Sequence, residues 1–205
     1  MSSIELWYIT RATGLAALVL LTVTMILGIL TAGRAPSTLP TFARAEIHRR
    51  IAILTVIFLA IHVITAVIDT YVHISLLTIL IPFTSSYHEF WLALGTIGVD
   101  FFLAVAISSA LRRYISARAW RLFHWLAYLS WPVAMAHAWG MGTDAKLSWV
   151  LGLFILCSAS VVGVTGWRII AFTRANSVMP TTIITPRRSI RSSIGTPTLR
   201  KRVKT

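Results

Sequence analysis

Residues 45–63 read AEIHRRIAILTVIFLAIHV, and the rest of the chain is best understood from them. With its flanks, this apolar run has the length of a helix crossing the hydrocarbon core of a bilayer. It nevertheless holds two histidines, His48 and His62, 14 residues apart. Residues 120–140, WRLFHWLAYLSWPVAMAHAWG, repeat the arrangement with His124 and His137, 13 residues apart. At 1.5 Å rise per residue, each pair is separated by roughly 20 Å along its helix axis. Fourteen residues at about 100° each return within roughly 40° of the starting face, whereas thirteen land roughly 140° away in a straight helix. Pro132 lies between His124 and His137, where a kink or a tightened turn can restore the phase.

Composition sets the class. Of 205 residues, 57% are hydrophobic and 12% are charged, more apolar surface than a soluble domain can hide. The net charge of +13 is not a nucleic-acid signature, because the basic residues gather in loops and tail beside apolar runs. That is how cytoplasmic segments face anionic lipid. The one cysteine, Cys157, lies inside an apolar run, where it reads as a small packing residue, and no Cys-x-x-Cys-His is present for covalent haem attachment.

The expected fold is an all-α integral membrane bundle of five spans, at about residues 11–32, 47–68, 90–111, 120–140 and 147–170. The opening MSSIELWYITRATG makes a poor signal peptide. The LLTILIP run at residues 76–82 is too short to span and reads as an interfacial turn of helix. Arg34, Arg44, Arg49 and Arg50 fall between spans 1 and 2, and Arg112, Arg113, Arg118 and Arg121 between spans 3 and 4. Eight more basic residues follow span 5, while the other two connections hold only Lys146. This bias predicts an outer N-terminus and a cytoplasmic C-terminus. Residues 173–205, rich in Ser, Thr, Pro and Arg, read as a disordered basic cytoplasmic tail.

Spans 2 and 4 then run in the same direction, so depth follows sequence order. His48 pairs with His124 near the cytoplasmic side, and His62 pairs with His137 toward the outer side. Histidines in hydrocarbon are expensive and mark function. Two neutral imidazoles facing across a gap are the axial ligand set of a six-coordinate haem, a centre for electron transfer with no open site for substrate. The competing reading is a proton relay or structural network in a non-redox transporter or scaffold.

The histidine spacing on alternate spans, together with WYITRATG before span 1 and RLFHWLAYLSW around His124, resembles the ferric reductase-like transmembrane domain over residues 5–172. That family includes the haem core of NADPH oxidases and ferric reductases and the haem subunit of bacterial methionine sulfoxide reductase systems. The resemblance implies two non-covalent bis-histidine haem b groups, His48 and His124 holding the inner and His62 and His137 the outer. It implies a multi-pass protein of the cell membrane, a bacterial plasma membrane in particular. The chain shows no G-x-G-x-x-G and no flavin or nicotinamide site, so the implied oxidoreductase subunit depends on partners. Its donor would be a cytoplasmic flavin reductase or a membrane quinol. Its acceptor would be an extracytoplasmic flavoprotein, a molybdoenzyme or another reductase, or ferric iron.

Supporting residues carry two readings each. Gly14 and Gly28, 14 apart, either let a flat macrocycle approach span 1 or simply pack helices, as do Gly95 and Gly98. Arg49, Arg50, Arg118 and Arg121 are candidates for the inner propionates, and Arg11 for the outer ones with His73 and Lys146 behind it, or they are interfacial anchors. Asp100, in the middle of span 3, is a costly carboxyl that is protonated, paired, or part of a proton or quinone site. Phe58, Trp125 and Trp131 are core residues or lie between the haems. His73 and His88 read as surface residues.

Overall fold

The computed structural model describes residues 3–32, 40–69, 74–145 and 147–177. His73, Lys146 and most of the tail lie outside these. The described residues form six helices and their connections: α1 (Ser3–Ala32), α2 (Thr41–Ile68), α3 (Leu76–Leu80), α4 (Glu89–Ala110), α5 (Ala117–Met141) and α6 (Ser148–Ser177). Helices α1, α2, α4 and α6 are long and apolar enough to cross a membrane, making this a multi-pass helical membrane protein. Helix α5, with 25 residues, is as long but carries Arg118, Arg121, His124 and His137 and does not reach the same apolarity.

Three boundaries differ from the sequence reading, and one is the start of α2 at Thr41, six residues before the expected span. Helix α1 begins at Ser3, a full two turns before Arg11, because residues 3–10 contain no helix breaker and Leu6 is buried. Helix α6 runs through Ser177, so residues 173–177 are helical and not part of a disordered tail. The short helix α3 falls where the LLTILIP run placed an interfacial turn. Ser75 caps it by accepting from the Thr78 amide, and Thr96 Oγ1 on α4 donates to Thr78 O at 2.7 Å.

Packing divides the bundle into two hairpin-like pairs, α1 with α2 and α4 with α5. Helix α1 also touches α5 and α6, whereas α2 and α5 share no comparable interface. Both pairs are antiparallel. Gly14 faces His62 and Gly28 faces His48, while Gly95 faces His137 and Gly98 faces Val133 and Ala134. Leu18, Val150 and Phe154 form one apolar cluster between α1 and α6, and Trp131, Cys157 and Val161 form another.

Hydroxyl side chains sit in the interior, and large apolar side chains cover much of the exterior. Thr22, Thr24, Thr55, Thr96 and Ser130 are buried, while Ile53, Leu54, Ile57, Ile61 and Ile64 of α2 point outward. Lipid tails are as apolar as leucine, so helices in a bilayer gain from small residues and hydroxyls at their contacts. Trp131 Nε1 donates to Thr22 Oγ1 at 2.9 Å, tying α5 to α1, and Thr22 Oγ1 in turn donates to Leu18 O at 2.8 Å. Thr24 and Thr55 hydroxyls meet at 3.2 Å, and Thr10 Oγ1 donates to Thr65 Oγ1 at 2.8 Å, both between α1 and α2.

Replacing Thr22 with valine keeps the volume but strands the buried indole N–H of Trp131. Thermal unfolding of the purified protein in detergent should show a loss of about 0.5–2 kcal/mol. An unchanged midpoint would mean that this bond does not help join α1 to α5.

Candidate functional site

Four imidazoles meet as two pairs. The ring centroids of His48 and His124 lie 6.4 Å apart, and those of His62 and His137 also 6.4 Å apart. Early residues of α2 thus meet early residues of α5 and late ones meet late, so the two helices run in the same direction. Both α5 histidines meet their α2 partners despite their 13-residue spacing, and α5 stays helical through Pro132 between them.

The orientation of three rings is fixed by the backbone of the neighbouring helix. Nδ1 of His62 lies 2.9 Å from Thr10 O, Nδ1 of His48 lies 3.0 Å from Thr24 O, and Nδ1 of His137 lies 2.8 Å from Trp91 O. A carbonyl only accepts, so each Nδ1 carries the proton and donates, leaving a bare lone pair on Nε2. Four residues beyond each accepting carbonyl stands a glycine: Gly14, Gly28 and Gly95. A helical side chain leans back over the preceding turn and would cover that carbonyl. A Cβ added at Gly95 would sit 2.5 Å from His137 Cε1, and one at Gly14 2.9 Å from His62 Cε1 and Nδ1. At Gly28 the nearest ring atom, His48 Cε1, would be 3.4 Å away. The Nδ1–Cε1 edge of these rings therefore rests on glycine. Gly14 and Gly28 lie against the histidine rings of α2. Gly95 lies likewise against His137 of α5, a role its sequence did not disclose.

The fourth ring differs. His124 Nδ1 is buried with no hydrogen-bond partner, and the ring is stacked on Trp120 with centroids 4.8 Å apart. The Arg112 guanidinium lies 4.2 Å from the Trp120 ring centroid.

His62 and His137 line a cavity of about 250 Å³ between α1, α2, α4 and α5. Gly14, Leu18, Gly95, Gly98 and Phe102 form part of its wall, and Thr78 of α3 also borders it. Arg11 lines it too. Its Nε donates to Asp144 Oδ2 at 3.4 Å and one Nη to Met141 O at 3.3 Å, which leaves further N–H donors of the guanidinium.

The other arginines are placed differently. Arg49 and Arg50 both bond Glu46, at 3.1 and 2.8 Å, with side chains about three-quarters exposed. Arg121 and Arg118 are likewise exposed. Near the C-terminal end of α1 lies the half-buried Arg168, whose Nη1 donates to Ile29 O at 3.3 Å. Trp131 is buried, Trp125 is exposed, and Phe58 borders a shallow apolar groove with Leu54 and Leu153. Asp100 is partly exposed, and His88 is exposed at the N-cap of α4.

Among the described residues, no group of three or more His, Cys, Asp or Glu side chains gathers to hold a metal ion. No family model, curated protein or solved structure matches the chain.

Adding one methyl group at each glycine seat should be felt in the order of the distances. Gly95→Ala should lower the thermal midpoint most, Gly14→Ala less, and Gly28→Ala least. A reversed order in detergent melts would show that the glycines do not act as seats for the rings.

Proposed function

We propose that the chain is a di-haem b-type cytochrome subunit whose paired histidines are the axial ligands. The observation that carries this reading is the outer pair. Both of its rings donate Nδ1–H to a helix carbonyl, so each keeps an unprotonated Nε2. Two lone pairs facing one another in a low-dielectric interior repel unless a cation lies between them. A metal ion bonded to both nitrogens at about 2 Å sets the ring centroids about 6–6.5 Å apart. The observed 6.4 Å lies in that range for both pairs. Among the described residues two histidines converge at each level, so a group that brings its own in-plane ligands fits the pair. A planar tetrapyrrole supplies four in the plane between two axial imidazoles.

The protein's part is to bind and to orient. Carbonyls of Thr10, Thr24 and Trp91 fix the tautomer and raise the basicity of the rings they hold. The cavity around His62 and His137 provides an apolar slot, and Arg11 at its wall offers donors for a propionate. At the inner level, Arg168 is better placed for that task than Arg49 or Arg50, which are committed to Glu46. When bound, two haems at depths roughly 20 Å apart supply reversible one-electron chemistry across the membrane.

Helix α5 counts as a span in this reading, which brings the total to five. It is less apolar than the others because it lines the slot from one side and carries two of the ligands. The Lys/Arg distribution puts the N-terminus outside and the C-terminus in the cytoplasm of a plasma membrane. The likeness to ferric reductase-like membrane domains supports a cytoplasmic flavin reductase or a membrane quinol as donor, and an extracytoplasmic flavoprotein, molybdoenzyme or ferric iron as acceptor.

The purified full chain should be red, with two reducible six-coordinate haems per polypeptide. His62→Ala and His137→Ala should each remove one haem and leave the other reducible from the cytoplasmic face of oriented vesicles. His48→Ala and His124→Ala should remove the other haem and abolish reduction from that face. A colourless protein, or four variants that all keep two normal haems, would refute the proposal.

A further inference from the structure

The register of α4 against α5 singles out one more residue. Gly95 faces His137, and Gly98 faces Ala134. Antiparallel helices keep a constant sum of paired numbers, so thirteen residues along α4 the residue facing His124 is Ser108. It stands where the other three histidines have a glycine. Ser108 is buried, at 6% relative exposure, and its Oγ donates to Val105 O at 3.0 Å. By the pattern of the three seats, the carbonyl that would receive His124 Nδ1 is that of Ala104, four residues earlier. The Ser108 Cβ leans over it. The result is visible in the ring itself: His124 Nδ1 is buried without a partner. The neighbouring Trp120 Nε1, also buried and unpartnered, is only a donor and cannot accept that proton.

We propose that Ser108 is a positioning residue that withholds the backbone acceptor from His124, leaving the inner pair with one backbone-seated ligand and one unsupported ligand. This rests on the two-haem reading above. An imidazole whose N–H is bonded to a carbonyl is a more basic ligand and favours the ferric state, so its centre has a lower potential. The unsupported ligand leaves the inner centre at a higher potential than a fully seated pair would have, and it makes His124 the ligand most easily displaced.

The test is a redox titration of the full chain, unaltered and as Ser108→Gly and Ser108→Ala. Glycine opens the seat, whereas alanine removes the hydroxyl and keeps the Cβ. Ser108→Gly should lower one of the two haem midpoints, the one that His124→Ala abolishes, and leave the other in place. Ser108→Ala should leave both unchanged. Ser108→Gly moving neither midpoint or both, or Ser108→Ala reproducing its shift, would overturn the inference. Carbon monoxide gives a second readout that needs no Ser108 variant: the ferrous unaltered protein should bind it at the inner haem in preference to the outer. Equal binding at both haems, or none at either, would also overturn it. A protein with two haems and unmoved midpoints removes the role of Ser108 alone; one that carries no haem removes the parent reading as well.

Discussion

A single hydrogen bond, from an imidazole N–H to a carbonyl already engaged in its own helix, governs the arrangement of the site. A helix carbonyl has two lone pairs and spends one on the amide four residues later. The second is normally hidden by the side chain of that later residue, and in a bilayer there is no water to compete for it. Glycine at that position opens it. Thr10 with Gly14, Thr24 with Gly28 and Trp91 with Gly95 are three uses of one device. Glycine inside a helix costs about 1 kcal/mol relative to alanine, a cost offset here by a histidine locked in one tautomer.

Much of this was legible in advance. Hydropathy placed the long helices to within a few residues over most of their ends, and the short α3 was foreseen because five or six apolar residues cannot cross a bilayer. The pairing of histidines followed from two co-directional helices, and the structure brings the same rings together. The glycine seats were only half legible. Spacing marked Gly14 and Gly28 as equivalent, but whether they receive a ring depends on the register between helices, which no single-helix pattern reveals.

The arginines show a different limit. Arg49 and Arg50 lie next to His48 in sequence, yet each successive residue turns about 100° around the helix, so adjacency in sequence places them on other faces. Glu46, three and four residues earlier, sits on their face and takes both. That ion pair could have been read from the sequence. Arg168 could not, because its neighbour Ile29 is 139 residues away. The start of α1 was also underestimated, since the residues before Arg11 are less apolar than the run that follows.

The division into hairpins has a consequence for how the molecule is made. Every seated histidine takes its orientation from the helix beside it in its own hairpin: His48 and His62 from α1, His137 from α4. Neither set waits for the other half of the bundle. As the ribosome delivers the chain, the first hairpin can enter the membrane with its imidazoles already aimed, and the second can follow. Helices α2 and α5 share no comparable interface, so the two prefabricated halves are joined through α1, which packs on α5 and α6 and accepts the Trp131 indole N–H at Thr22.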